Sequence, residues 1–387
     1  MTRSDQPSAV SLQPTGHHPL GAYVHIPFCR QRCHYCSFNT GPYRPAAMDR
    51  FLAALLREID RGGEAEWAGR VTIGTVFFGG GTPSLLEPEE LETLLDRLGK
   101  RFALAPSAEV TVECNPESLT RDKAEGYRLA GVNRLSLGVQ SLDAGLLVRL
   151  GRLHSPEEAR RAFEAARDAG VDNLSVDLIY GLPDLDLPGW EATVRGALAW
   201  GPEHLSAYGL TLDEGSRWHG EGVAGLPDEE TVTAQYWSLA RLAREAGYEH
   251  YEISNYARHG FRSRHNQVYW RAEEYLGLGP GACGFLGGVR YGNVKPVERY
   301  CAMLDAGTLP IGTHEILTAA QRKAERRILG LRLSDGVPFA WLEDKAPLVE
   351  SWKELGLLEV ADDRCRLTEA GFLLSDSLFV ELLEPRS

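Results

Sequence analysis

The sequence predicts an α/β fold, a partial (β/α)6 TIM-like barrel carrying a C-terminal α+β domain of winged-helix type. Three observations predict it. Short, apolar, β-branched runs alternate with helical patterns from about residue 22 to 246, which implies a parallel sheet made by right-handed crossovers. The alternation stops after residue 246, and from about residue 318 short helices lead into a strand pair. At 387 residues the chain exceeds an average domain but fits one barrel-sized unit with an appendage.

Residues 1–20, rich in Ser, Gln and Pro, are expected to be disordered. Residues 21–246 are assigned to the barrel, with strands expected at 22–28, 71–78, 109–113, 134–139, 173–178 and 204–211. The intervening helices are expected at 48–59, 88–98, 122–130, 156–169, 189–199 and 228–246; several open on Pro or an acidic residue and close near Gly. Residues 247–317, rich in Tyr, Gly and polar side chains, read as a loop-rich connecting region with short strands. In residues 318–387, helical patterns at 319–329, 337–342 and 351–355 precede a turn at Gly356 and strands at 357–360 and 364–368.

The composition is that of an ordinary globular protein, 43% hydrophobic and 25% charged. Lys and Arg number 41 against 54 Asp and Glu, a net charge of −13 that argues against non-specific binding of nucleic acid or anionic lipid. The first residues lack the basic and apolar regions of a secretory signal, and no apolar run reaches the roughly 18 residues of a membrane span, so a cytoplasmic protein is expected. Of seven cysteines, Cys114, Cys283, Cys301 and Cys365 are scattered and three, Cys29, Cys33 and Cys36, are clustered. In a reducing compartment such a cluster points to metal or redox chemistry rather than to disulfides.

Those three form a C-x3-C-x2-C loop directly after the first strand, Tyr23-Val-His-Ile-Pro-Phe28. Three thiolates on one loop can hold three irons of a [4Fe–4S] cluster and leave the fourth iron open for chemistry. The alternative is a zinc site completed by His34 or a distant group, although closed zinc sites usually come as two separated ligand pairs.

This loop at the mouth of a βα barrel resembles the radical S-adenosylmethionine superfamily, in which the open iron chelates the amino and carboxylate groups of S-adenosylmethionine. The Tyr-Val-His-Ile-Pro-Phe run and the turn Gly79-Gly80-Gly81-Thr82-Pro83 narrow the resemblance to the group that includes oxygen-independent coproporphyrinogen oxidase. Position agrees, because parallel barrels collect their working residues at the C-terminal strand ends. The cysteine loop, the Gly79–Pro83 turn, Glu113, Gln140, Asp177 and Thr211 close the six expected strands in turn. The resemblance implies that Tyr23, Gly80 and Glu113 contact the cluster-bound S-adenosylmethionine. It also implies that Tyr35, Gly81, Thr82, Gln140, Arg152, Asp177 and Thr211 match positions lining a second S-adenosylmethionine in the oxidase. No residue identifies itself as a catalytic radical partner.

Within that group the chain is more similar to the HemW heme-chaperone family than to the oxidase. The oxidase loop continues to a fourth cysteine where this chain has Phe38, and the oxidase carries a longer N-terminal extension. His265-Asn266-Gln-Val-Tyr269-Trp270 matches the chaperones' H-N-x-x-Y-W motif. The resemblance implies heme binding there, with His265 offering an imidazole and Tyr269 and Trp270 flat apolar faces beside Asn266. The chain departs from its relatives at Gly181-Leu-Pro-Asp-Leu-Asp186 and at Cys283, a small packing residue or a thiolate ligand. The expectation is therefore a heme chaperone with a [4Fe–4S] cluster and S-adenosylmethionine. It would deliver heme to apoproteins, among them membrane-associated respiratory enzymes, and form a homodimer; a coproporphyrinogen III oxidase is the alternative.

Overall fold

The computed structural model describes residues 12–16 and 18–383. Residues 1–11 of the segment expected to be disordered lie outside this range. Its described part is placed against the body: Leu12 packs on the main core, and the Thr15 amide and hydroxyl donate to the Glu274 carboxylate at 2.8 and 2.9 Å.

The six expected strands are present as β1 Leu20–Ile26, β2 Ile73–Gly80, β3 Leu104–Cys114, β4 Arg134–Gln140, β5 Leu174–Tyr180 and β6 His204–Gly209. Six more follow: β7 Glu249–Glu252, β8 Asn255–Ala257, β9 Tyr275–Leu278, β10 Cys283–Leu286, β11 Val289–Asn293 and β12 Ile311–Ile316. All twelve belong to one sheet in the order β12-β11-β10-β9-β1-β2-β3-β4-β5-β6-β8-β7. Strands β9 and β1 to β6 run parallel, and both flanks are antiparallel. Residues 247–317, expected to be loop-rich, thus extend the sheet at both ends and add a seventh parallel strand. Short strands broken by Gly and turns carry too little periodicity for that to be read from the chain.

The helices between these strands are α1 Pro45–Gly63, α2 Pro88–Phe102, α3 Arg121–Leu129, α4 Ala144–Leu150, α5 Pro156–Asp168, α6 Leu187–Ala199, α7 Arg217–Glu221 and α8 Glu229–Glu245. Their apolar stripes cover one face of the sheet. Val24, Val76, Val112, Leu137, Val176 and Leu205 are fully buried there against side chains such as Phe51, Leu91 and Phe163. Strand residues alternate between faces, so Thr75, Thr111, Glu113, Arg134, Ser136, Asp177, His204 and Ser206 fall on the other face and line the barrel interior. That interior is polar, and each group in it needs a partner.

A seven-residue helix, α9 Arg264–Trp270, plugs the N-terminal end of the barrel and partners Thr75 through His265. Ser263 caps it, and the Glu109 carboxylate at the start of the paired β3 segment accepts from the amides of Arg264 and His265 at 3.0 and 2.9 Å. Helix α10 Val297–Asp305 then packs on α1.

The C-terminal unit has its own core around Trp352, Leu358, Cys365 and Leu378. It comprises α11 Ala319–Leu331, α12 Ala346–Glu354, α13 Glu369–Leu373, α14 Ser375–Leu383 and strands β13 Val337–Pro338, β14 Leu358–Ala361 and β15 Arg364–Leu367. The hairpin expected after Gly356 is present, and Asp362 and Asp363 turn it with φ of 51° and 58°. The helix expected at 337–342 is absent. Val337–Pro338 pairs with β15, because the residue before a proline is held extended, and only the 3-10 turn Phe339–Trp341 follows.

Candidate active site

The C-terminal ends of β1 to β6 enclose a cavity of about 610 Å³. Cys29, Cys33 and Cys36 stand on one side of it, half-buried free thiols. Their loop is fastened on several sides: the His34 amide donates to the Leu150 carbonyl at 3.0 Å, Gln31 Nε2 to the Gly151 carbonyl at 2.9 Å, and the Trp218 amide of α7 to the His34 carbonyl at 3.0 Å. Burial pushes the Cys29 and Cys36 thiols up, and the neighbouring thiols add to the rise. Three sulfurs grouped on one loop suit a polynuclear metal centre, whose positive charge would favour the thiolate forms.

The turn after β2 is locked to this loop. Gly81 donates to the Ile26 carbonyl and Thr82 to the Phe28 carbonyl, both at 2.8 Å. A Cβ on Gly81 would sit 2.5 Å from the Phe28 carbonyl oxygen, and Gly80 has φ +110°. Any other residue would drive the two loops apart.

Of the positions singled out at the strand ends, Gly80, Gly81, Thr82, Pro83, Glu113, Gln140, Asp177 and Thr211 line the cavity, as do Tyr35 and Arg152. Tyr23 does not. It lies one layer deeper, its hydroxyl 3.0 Å from His25 Nδ1 and its ring stacked near Phe77. Gln140 has φ +67° at a register shift in β4, a strained backbone of the kind found where a side chain is aimed at a ligand. Arg152 bridges three walls: Nη2 donates to Asn115 Oδ1 at 2.8 Å and to the Gly138 carbonyl at 2.7 Å, and Nη1 lies 3.5 Å from Cys33 Sγ. Its Nε is buried without a partner. Sequence reasoning missed Asn115 and His25; both sit beside recognised motif residues, and their roles as braces depend on partners far along the chain.

The cavity floor is lined by two buried carboxyl groups. Glu113 accepts from the Gly80 amide at 3.2 Å, and burial, then the Asp177 charge, pushes its carboxyl from 4.5 up to about 8. Asp177 is also raised by burial, against hydrogen bonds from Ser206, Ser136 and Ser175. Two buried carboxyl groups suit a cationic, hydroxyl-rich ligand, whose charge would favour loss of the Glu113 proton.

The radical SAM superfamily pattern matches residues 23–195. The chain is 39% identical over 381 residues to the heme chaperone HemW of Mycobacterium tuberculosis, covering 96% of this chain and 97% of that protein. It is 35% identical to HemW of Bacillus subtilis over 92% of this chain and 97% of that one. This chain belongs to the HemW family of the radical SAM superfamily. Its fold is similar to that of coproporphyrinogen III oxidase (HemN) from Escherichia coli, with a TM-score of 0.82 at 23% identity over 94% of this chain and 90% of that one.

In this HemW-family chain the H-N-x-x-Y-W stretch does not line the cavity. His265 is 1% exposed, with Nδ1 2.8 Å from Thr75 Oγ1 and Nε2 2.8 Å from Tyr269 Oη. Burial pushes its pKa down to about 3. The neutral ring has one donor and one acceptor, and both meet hydroxyl groups here. Asn266 bonds through its amide to the capping Ser263 hydroxyl, and Trp270 packs beneath the Arg332 guanidinium. The motif forms the barrel plug. A buried chain also joins plug and floor: Ser175 Oγ lies 3.3 Å from Asp177 Oδ1 and 2.8 Å from His204 Nδ1, and His204 Nε2 lies 2.9 Å from the Tyr251 hydroxyl, which accepts from the Ser263 amide.

The departure at 181–186 has a local explanation. Asp184, with φ 61°, forms an ion pair with Arg149, and Asp186 caps α6 by accepting from the Gly189 amide at 2.8 Å. Cys283 is exposed.

The HemW-family floor has a measurable pH signature. Glu113 holds its proton in the folded chain where the unfolded chain has already lost it, so ligand-free stability falls as pH rises from about 4.5 through about 8. Glu113→Gln removes that loss. The ligand-free variant is expected to be more stable than wild type by about 5 kcal/mol at pH 9, with the difference vanishing near pH 4. Urea midpoints across that range test it, and a difference independent of pH would refute it.

Proposed function

We propose that this chain is a heme chaperone that binds heme, a [4Fe–4S] cluster and S-adenosylmethionine, and hands heme to apoproteins, among them membrane-associated respiratory enzymes. The observation that carries this reading is the near end-to-end likeness to curated heme chaperones at up to 39% identity over most of the chain. Among the described residues no helix is long and apolar enough to cross a membrane, so contact with membrane-bound recipients would run through those partners.

Cys29, Cys33 and Cys36 would hold the cluster, and Glu113 and Asp177 would take the ribose hydroxyls or ammonium of S-adenosylmethionine. Arg152 would meet a carboxylate. A cluster with one open iron supplies a chelating site for the amino and carboxylate groups of S-adenosylmethionine. The protein's part is to fasten the thiol loop through Gly81 and Thr82, to present the Glu113 and Asp177 carboxyl groups at the floor, and to hold Arg152 charged. Burial opposes that charge, and the Glu117 carboxylate favours it. Support for dimerisation by the bound groups belongs to the same reading.

Phe38, 63% exposed at the cavity rim, stands where the oxidase has a further cysteine, and this favours the chaperone over the decarboxylating oxidase. Two assays on anaerobically reconstituted protein separate them. Hemin titration is expected to give a saturable Soret band, and coproporphyrinogen with S-adenosylmethionine is expected to yield no protoporphyrinogen above a cluster-free control. Turnover in the second assay would overturn the chaperone reading.

A further inference from the structure

The cavity does not end at the barrel strands. Ile253, Phe372 and Leu373 continue its wall into the C-terminal unit, and Arg332, Ser375 and Asp376 line it there. Arg332 is the residue that ends α11, and its guanidinium lies over the Trp270 ring at 4.3 Å. Its neighbours on the same helix are committed elsewhere: Arg327 pairs with Asp344, and Arg326 stacks over Trp341. Arg332 differs. Among the described residues no carboxylate forms an ion pair with it, and its Nε, like that of Arg327, is buried with no hydrogen-bond partner. Glu252 and Asp376 act on it only through their charge, and Glu252 is itself engaged by the Asn255 amide.

A guanidinium is costly to desolvate unless something anionic meets it. Here an aromatic face fixes its plane, which favours fork-like recognition of a carboxylate. The wall beside it is apolar. We propose that Arg332 is the anion-binding end of the cavity, taking a carboxylate of a flat, otherwise apolar ligand that lies against Ile253, Phe372 and Leu373. The inference rests on the heme reading, since heme is an apolar plane edged by propionates. Trp270 is then a positioning residue: it holds Arg332 and does not touch the ligand.

The test compares hemin with its propionate dimethyl ester, by Soret titration of the reconstituted full chain. Wild type is expected to bind hemin about tenfold more tightly than the diester, the size of one charge-assisted hydrogen bond. Arg332→Gln is expected to bind both ligands alike, at the affinity of the wild type for the diester. Arg332→Lys is expected to keep part of the preference, and it guards against a Gln variant that fails to fold. Full retention of the preference in either folded variant, with iron content unchanged, would overturn the role of Arg332 and leave the heme reading standing. Wild type that binds neither ligand would overturn both.

Discussion

Replacing Cys29, Cys33 or Cys36 singly by Ser is expected to reduce iron and sulfide after anaerobic reconstitution to near zero, together with the broad visible absorbance. A serine hydroxyl is a far weaker ligand than a thiolate, and an open-iron cluster has no spare protein ligand to lose. The loop itself is expected to survive. Its backbone is held by Leu150, Gly151 and α7, and the three thiols are only half-buried, so the ligand-free variants should unfold within about 1 kcal/mol of wild type. Cys283→Ser is the control: Cys283 is exposed outside the loop and its replacement is expected to leave iron content intact. Full iron in a loop variant would contradict the assignment.

His265→Ala is expected to destabilise the chain by about 3 to 5 kcal/mol, measured by urea unfolding. The substitution leaves the Thr75 and Tyr269 hydroxyls unpaired in the barrel and opens a void beside Phe77, whose ring stacks on the imidazole at 5.1 Å. A histidine that served only as a heme ligand would predict lost Soret intensity with stability unchanged. Glu109→Ala is expected to have a comparable effect, because it strips the acceptor from the two amides that anchor the plug. Both residues hold one helix, so the double variant is expected to lose less than the sum of the two single losses. Additive losses would mean that they do not act as a unit.

Much of this architecture was legible because it is local. Each of the six parallel strands and their main helices carries its own periodicity and caps, such as the Ser155 and Glu158 capping box that opens α5. The cysteine loop was legible for the same reason: chelation requires the ligands to be close, and here closeness in space is closeness in sequence. The strand-end residues were readable because a parallel barrel brings them to one mouth whatever the details of packing.

The H-N-x-x-Y-W helix was not legible in this sense. Imidazole, phenol and indole have the same chemistry whether they face a heme or fill a barrel, and only the distances to Thr75 and Phe77, about 190 residues away in the chain, distinguish the two. The same limit hid strand β9, whose four residues are defined by pairing with β1 rather than by their own pattern.

By itself, the sequence determined the barrel class, the three-thiol loop and the ring of residues at the strand ends, since these follow from short-range spacing and a fixed crossover hand. Only the tertiary structure decided that His265 belongs to the plug and that the sheet extends at both flanks. It also decided that Arg332 shares a cavity with the cysteines, because burial and partner choice are set by segments distant in the chain.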